Sequence, residues 1–516
     1  MSSEVLGCGP RHRVGSIVSI MIAKRTTRTA LIFCTLTLFL LYLSRSNNAP
    51  NKRITEEFFA IDPITSFSAE PTALYLGYLP HSGFHNQRIS LENAFVLAAL
   101  LNRTLIVPPA RLSSNPIPYL PTRKLVSAIE SSNDPALKPC PSGEDFGAVL
   151  GTGSCNPYHD FIHLSWRHLM PIDRLLNKIP FVERNDMRQT WFKTSLNIHS
   201  DDTYWVKDKF PYEYNFYDEF TGVSTASKYS RHIHLGDLLK QTQKYRLLHL
   251  GTLFGSGRLR LSDTSNFELQ TTVREAMVLS NPLLDRLSSR VTRHMGGKDS
   301  YYALHLRLGD GVFAENATAN VQAILGTALI GLFGTTNKSL YMTLPSDIPF
   351  LAHFDNRGQL LRVHRLENSR TPLAVAQTCS HHLRGRNNPF IQELPLYIAT
   401  DVDPVRHPAF KPFFHTFPCI YFLSSFKDAM KTLKQVRTAS GTGNLGPYLI
   451  PLLDALVVGN SAGMIGTPNS TFRYMCCLRL CTVLTFSHLS SGYIAGILWP
   501  FLHGLPVAQS ENYHAD

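Results

Sequence analysis

The first clear pattern of apolar and polar positions runs from Ala73 to Pro109, ALYLGYLPHSGFHNQRISLENAFVLAALLNRTLIVPP. Ala73–Leu79 is a short apolar run of strand length, and Pro80–Gln87 is a polar loop holding Gly83. Apolar residues then recur at helical spacing from Ile89 to Leu101 (Ile89, Ala94, Phe95, Leu97, Ala98, Leu101). Thr104–Val107 is a second strand, stopped by Pro108 and Pro109. A β-loop-α-β unit of this kind implies a parallel sheet. Its loop enters a helix N-terminus, where unpaired N–H groups and the helix dipole favour an anion.

The pattern returns at YYALHLRLGDGVF, Tyr301–Phe313. Strand alternation puts Leu304, Leu306 and Leu308 on one face and His305, Arg307 and Gly309 on the other. LPLYIATD (Leu394–Asp401) and CIYFLSS (Cys419–Ser425) are further strands, and Pro447–Gly466 reads as helix, strand and loop. Between the two series, Tyr204–Phe220 is dense in aromatics, fit for core packing or for the wall of a ligand cleft. Two βα-rich halves in 516 residues imply two Rossmann-like domains, placed at 71–295 and 296–516, with ligands at the strand carboxyl ends. No internal repeat is visible.

One earlier stretch fits neither half. Ala30–Leu43 is an uncharged apolar run of 14 residues, preceded by Lys24, Arg25 and Arg28. The charge bias keeps residues 1–28 in the cytosol and sends the body into the lumen. Residues 29–44 are expected to be a transmembrane signal anchor, uncleaved in preference to a cleaved signal peptide, and 45–70 a polar stem. The shortness of the span suits the thin membranes of the ER or Golgi. This also accounts for the charge. The net charge is +12, but residues 1–53 carry eight Lys/Arg against Glu4 alone, which leaves an unexceptional body. No basic run with interleaved aromatics occurs elsewhere, so nucleic acid is not an expected partner.

Sequons at Asn102, Asn316, Asn337 and Asn469 agree with a lumenal body. Of nine cysteines, Cys140, Cys155, Cys379 and Cys419 could form two disulfides, with Cys140–Cys155 and Cys379–Cys419 the preferred pairs. No Cys-x-x-Cys pair has spacing suited to structural zinc.

A guanidinium at a strand's carboxyl end can clamp phosphate oxygens through two hydrogen bonds. Arg307 is placed for that, and Asp310 could either orient it or receive a donor from substrate. His-x-Arg-x-Gly-Asp after a strand resembles the core motif of the GDP-fucose protein O-fucosyltransferase superfamily. SGFHNQR (Ser82–Arg88) resembles that family's first motif, and LLDALVVGNSAGMIGTPNSTF (Leu452–Phe472) its third. The three come in family order, and the version here is most similar to fungal members. The resemblance implies a GT-B-like α/β enzyme that uses GDP-fucose without a metal or other cofactor. It gives Arg307 the leaving β-phosphate and Asn86, beside Gly83 and Phe84, the donor–acceptor site. His305 and Asp310 join the substrate-binding set, Asp454 takes the guanine edge, and Ser470, Thr471 and Phe472 cradle the nucleotide. The implied partners are a nucleotide sugar, a glycoprotein or glycan acceptor, and the membrane through the anchor. The general base has no universal counterpart in the family. His85 is the choice here, with His81 and Glu92 nearby.

Two other readings stay in play. Asp401-Val402-Asp403 is an Asp-x-Asp, the arrangement with which metal-dependent transferases hold a cation and a UDP-sugar. A catalytically silent lumenal sugar-binding protein on the same fold is the second. One departure from the family pattern stands out. Residues 473–490 separate Ser-Thr-Phe from the Ser-Gly that usually follows, and deleting them restores STFSGYIAG. This insert reads as a translated, unspliced intron.

Overall fold

The computed structural model describes residues 53–59, 72–132, 138–139, 155–156, 158–219, 228–309, 311–331, 395–417, 419–441 and 443–467. The expected anchor 29–44, Asp310, Ser470–Phe472, the insert 473–490, Cys140 and Cys379 lie outside them. Cys419 is disulfide-bonded. No helix among the described residues is long and apolar enough to cross a membrane.

The first half is built on β1 (Tyr75–Tyr78), α1 (Phe84–Leu100), β2 (Thr104–Val107), β3 (Phe181–Glu183), β4 (Thr203–Val206) and β5 (Leu247–Leu250). The strands form one parallel sheet in the order β3-β2-β1-β5-β4. The expected β-loop-α-β unit is there, but the helix starts at Phe84, earlier than the apolar spacing shows. Its first turn carries His85, Gln87 and Arg88, all buried. A helix that buries polar side chains has no amphipathic signature at that end.

The second half follows α2 (Pro282–His294) with β6 (Tyr302–Leu306), β7 (Leu396–Thr400), β8 (Ile420–Tyr421), α3 (Gly446–Val458) and β9 (Gly463–Gly466). Its strands are again all parallel, in the order β8-β7-β6-β9. Both faces of this sheet are covered. Leu304, Leu306 and Leu308 pack with Phe410, Phe413 and Val321 on one side. Ala303, Tyr397 and Ala399 join α2 and α3 on the other. This is the alternation read from the sequence.

Two boundaries differ from the sequence reading. Helix α2, assigned to the N-terminal domain, packs along α3 of the second half, and Asn460 Nδ2 donates to Ser288 Oγ at 2.9 Å. Residues 53–58, assigned to the stem, are helical. Phe58 is fully buried in the core, Asn281 Nδ2 donates to its carbonyl, and Glu57 pairs with Arg286. An Ile-x-x-x-Phe-Phe spacing in a polar stretch is too short to read as a helix, so the docking was not legible.

Candidate functional site at two topological switch points

A parallel sheet whose strands run outward on one side, then resume on the other, leaves a crevice between the two central strands at their carboxyl ends. In the second sheet the crevice lies between β6 and β9. Arg307 follows β6, and its backbone N–H donates to Thr467 Oγ1 at 2.9 Å, just beyond β9. Thr467, buried, closes the same end by donating its own N–H to His305 O at 2.9 Å. His305 is buried beside it. The Arg307 guanidinium lies 4.7 Å over the Phe313 ring, a contact that limits where the cation can point. Asp401, after β7, accepts the N–H groups of Leu308 at 2.8 Å and Gly309 at 3.2 Å. The turn that launches Arg307 is therefore fixed by a carboxylate from the neighbouring strand.

That arrangement bears on the Asp-x-Asp. Asp401 already holds two backbone N–H groups. Asp403 accepts from Val405 N at 3.0 Å and sits 3.5 Å from Arg406. No group of three or more His, Cys, Asp or Glu suited to a metal gathers among the described residues.

In the first sheet the crevice lies between β1 and β5. The segment after β1 carries His81, Ser82 and Gly83, and the segment after β5 carries Gly251 and Thr252. His81 Nε2 meets Thr252 Oγ1 at 2.5 Å, and His81 Nδ1 meets Ser82 Oγ at 2.7 Å. Asp208, after β4, accepts from Thr122 Oγ1 and from Thr252 N, and burial raises its pKa. Gly83 caps α1 with extended backbone and open space where a Cβ would stand. Phe84 stacks on Trp166 at 5.3 Å. Asn86 is half-buried, with Oδ1 enclosed and unpartnered. Gln87 pins the loop: its Nε2 donates to Ser82 O and Arg111 O, and its Oε1 accepts Arg111 N, all at 2.9 Å.

Two of the expected site residues are buried titratable groups. His85 is buried, neither ring nitrogen has a partner, and burial with the nearby Arg88 charge holds its pKa well below the ordinary value. An imidazole that resists protonation is a weaker proton acceptor than an ordinary histidine. Asp454, expected at the guanine edge, is buried on α3 and accepts from Tyr397 Oη. Burial raises its pKa to about 7, against the lowering effect of that hydrogen bond. Gly83, Phe84 and Asn86 gather at the first crevice, and His305 and Arg307 at the second. Thr252, Thr467 and the turn-fixing role of Asp401 were missed. Their signal is position just past a strand, which becomes readable only once strand order is known.

The two carboxyl-end sides are joined. Tyr448 Oη, in the first turn of α3, donates to Asp160 Oδ1 at 2.5 Å. Asp160 leads into the strand Phe161–Leu164, which pairs antiparallel with Ala110–Ser113 just after β2.

No known protein family's profile matches the chain. A stretch of 35 residues is 57% identical to O-fucosyltransferase 30 of Arabidopsis thaliana, covering 7% of this chain and 7% of that protein. Among solved structures, POFUT1 in complex with GDP-fucose aligns over 80% of this chain and 95% of that chain, at 10% identity and a TM-score of 0.31. POFUT1 in complex with GDP aligns over 80% and 96%, at 9% identity and 0.34. The class the fold itself defines is an α/β protein whose two largest sheets are parallel, each with a polar switch point.

Proposed function

We propose that the chain is an inverting, metal-independent glycosyltransferase that moves fucose from GDP-fucose to a protein Ser/Thr or glycan hydroxyl. The carrying observation is Arg307, the cation after the central strand of the second sheet, beside the switch point. The short plant match supports the choice of sugar. When the acceptor hydroxyl attacks the anomeric carbon, its oxygen forms the new glycosidic bond, its proton passes to water or to the departing phosphate, the carbon–phosphate oxygen bond breaks, and GDP leaves with an added negative charge. A preorganised guanidinium lowers that barrier without a divalent ion. Asn86 lines the side from which the acceptor arrives. Attack opposite the leaving group inverts the anomeric centre. In this reading the protein is a single-pass type II membrane protein of the ER or Golgi with its body in the lumen.

The test is a donor screen on the lumenal body with Mn²⁺ and with EDTA. Selective GDP binding that Arg307→Ala abolishes, with fucose transfer unaffected by EDTA, supports the reading. EDTA-sensitive turnover of a UDP-sugar overturns it in favour of Asp401 and Asp403. GDP binding without transfer to any acceptor leaves a silent binding protein.

A further inference from the structure

We propose that Ser82 Oγ is a hydrogen-bond donor to a hydroxyl oxygen of the transferred sugar, held in that role by His81 and Thr252. The ligand named here rests on the glycosyltransferase reading above; the direction of the donor does not.

The argument is a proton count along a buried chain. Thr252 Oγ1 accepts the Phe254 N–H at 3.1 Å. Thr252 is buried, so its hydroxyl hydrogen needs an acceptor. The acceptor within reach is His81 Nε2 at 2.5 Å. Burial and the Arg258 charge lower the His81 pKa to about 4, so the ring is neutral near pH 7 and carries one proton. With Nε2 accepting, that proton is on Nδ1 and is given to Ser82 Oγ at 2.7 Å. Ser82 therefore accepts from His81, and its own hydrogen is directed away.

The rest of the residue is fixed as well. Ser82 has a φ of 65°, a left-handed conformation that a serine rarely adopts. It is held there by its N–H on Ile117 O at 2.6 Å and by Gln87 Nε2 on its carbonyl at 2.9 Å. A half-exposed hydroxyl in an over-determined, strained backbone at a sheet's switch point fits a ligand contact.

The surroundings choose the kind of oxygen. The nearby cation, Arg258, is fully buried, and its Nε, Nη1 and Nη2 donate to the carbonyls of Phe254, Tyr214 and Pro211. It offers nothing to an anion. A neutral donor with a spare lone pair matches a sugar hydroxyl better than a phosphate. Ser82 acts on the ligand directly, while His81 and Thr252 are positioning residues.

The experiment has two arms. In the ligand-free protein, nitrogen NMR of His81 should show the Nδ1–H tautomer; the Nε2–H tautomer overturns the proposal whatever the protein does. In the second arm, calorimetry compares GDP with GDP-fucose. Ser82→Ala should weaken GDP-fucose about fivefold, the worth of one hydrogen bond, and leave GDP unchanged. Thr252→Val frees Nε2 to take the proton and should reproduce that loss, whereas Thr252→Ser should restore the wild-type affinity. Equal GDP-fucose affinity in Ser82→Ala and wild type, with GDP still bound, overturns the proposal and spares the function. Failure of the wild-type protein to bind GDP at all overturns the function, and with it the sugar assigned to Ser82.

Discussion

The two switch points solve the same geometric problem with opposite chemistry. Each has a turn tied to a carboxyl, Asp208 in the first and Asp401 in the second, but the first presents neutral side chains: a ring that stays uncharged near pH 7 and two hydroxyls. The second presents a guanidinium over an aromatic ring. The same topology thus makes one pole suited to neutral oxygen and one suited to charge, and the side chains just past the central strands decide which.

The sharpest way to break this contrast is substitution on each side. Arg307→Ala should lower transfer from GDP-fucose roughly 10²- to 10³-fold, the cost of removing a preorganised charge partner, against the fivefold effect expected at Ser82. Steady-state rates and GDP titration read both, and equal losses would end the division of labour.

Packing offers the next test. A Cβ on Gly251 would stand 2.2 Å from Asp208 Oδ1, whereas one on Gly309 would stand 3.2 Å from Asp401 Oδ2. Gly251→Ala should cost about 2–3 kcal/mol and Gly309→Ala less than about 1 kcal/mol in urea unfolding.

The pH dependence of the two halves should run in opposite directions. His249, buried and stacked on Trp205, has a pKa lowered to about 3 by burial and by Arg184, and His81 one lowered to about 4. Between these values and 6.5 the unfolded chain binds protons that the folded one refuses. Their contribution is full above pH 6.5 and lost as pH falls. Asp454 is the reverse case. With its pKa raised from 3.8 to about 7, the folded state holds a proton the unfolded one releases, so its contribution is lost as pH rises through about 7. Unfolding free energies across pH 4–8 should show a shallower acid loss in His249→Phe and a smaller loss towards neutral pH in Asp454→Asn.

The smallest effect belongs to the bond between the halves. Tyr448→Phe removes one partly exposed hydrogen bond to Asp160 and should cost less than about 1 kcal/mol by thermal melting. A larger loss would mean that the two poles are held in register mainly there.

Legibility in the sequence followed burial. Alternation across Tyr302–Leu306 and the βα series were readable, because strands covered on one face by leucine and on the other by small and aromatic residues still repeat every second position. Arg307 was readable because a cation at the end of an apolar strand is out of place. The start of α1 was not, since its first turn buries His85, Gln87 and Arg88. Nor was the His81–Thr252 contact, which joins positions 171 apart in the chain. The carboxyl of Asp454 was visible as a residue but not as a core group, because spacing says nothing about which way a helix faces.

The docking of Phe58 sets a limit on where the chain can be cut without opening its core. A protease that cut after Phe59 would leave behind a fully buried aromatic ring and the Glu57–Arg286 pair. A truncation that keeps the core whole would therefore have to fall before Arg53, and one closer to the first sheet would leave a gap where Phe58 packs.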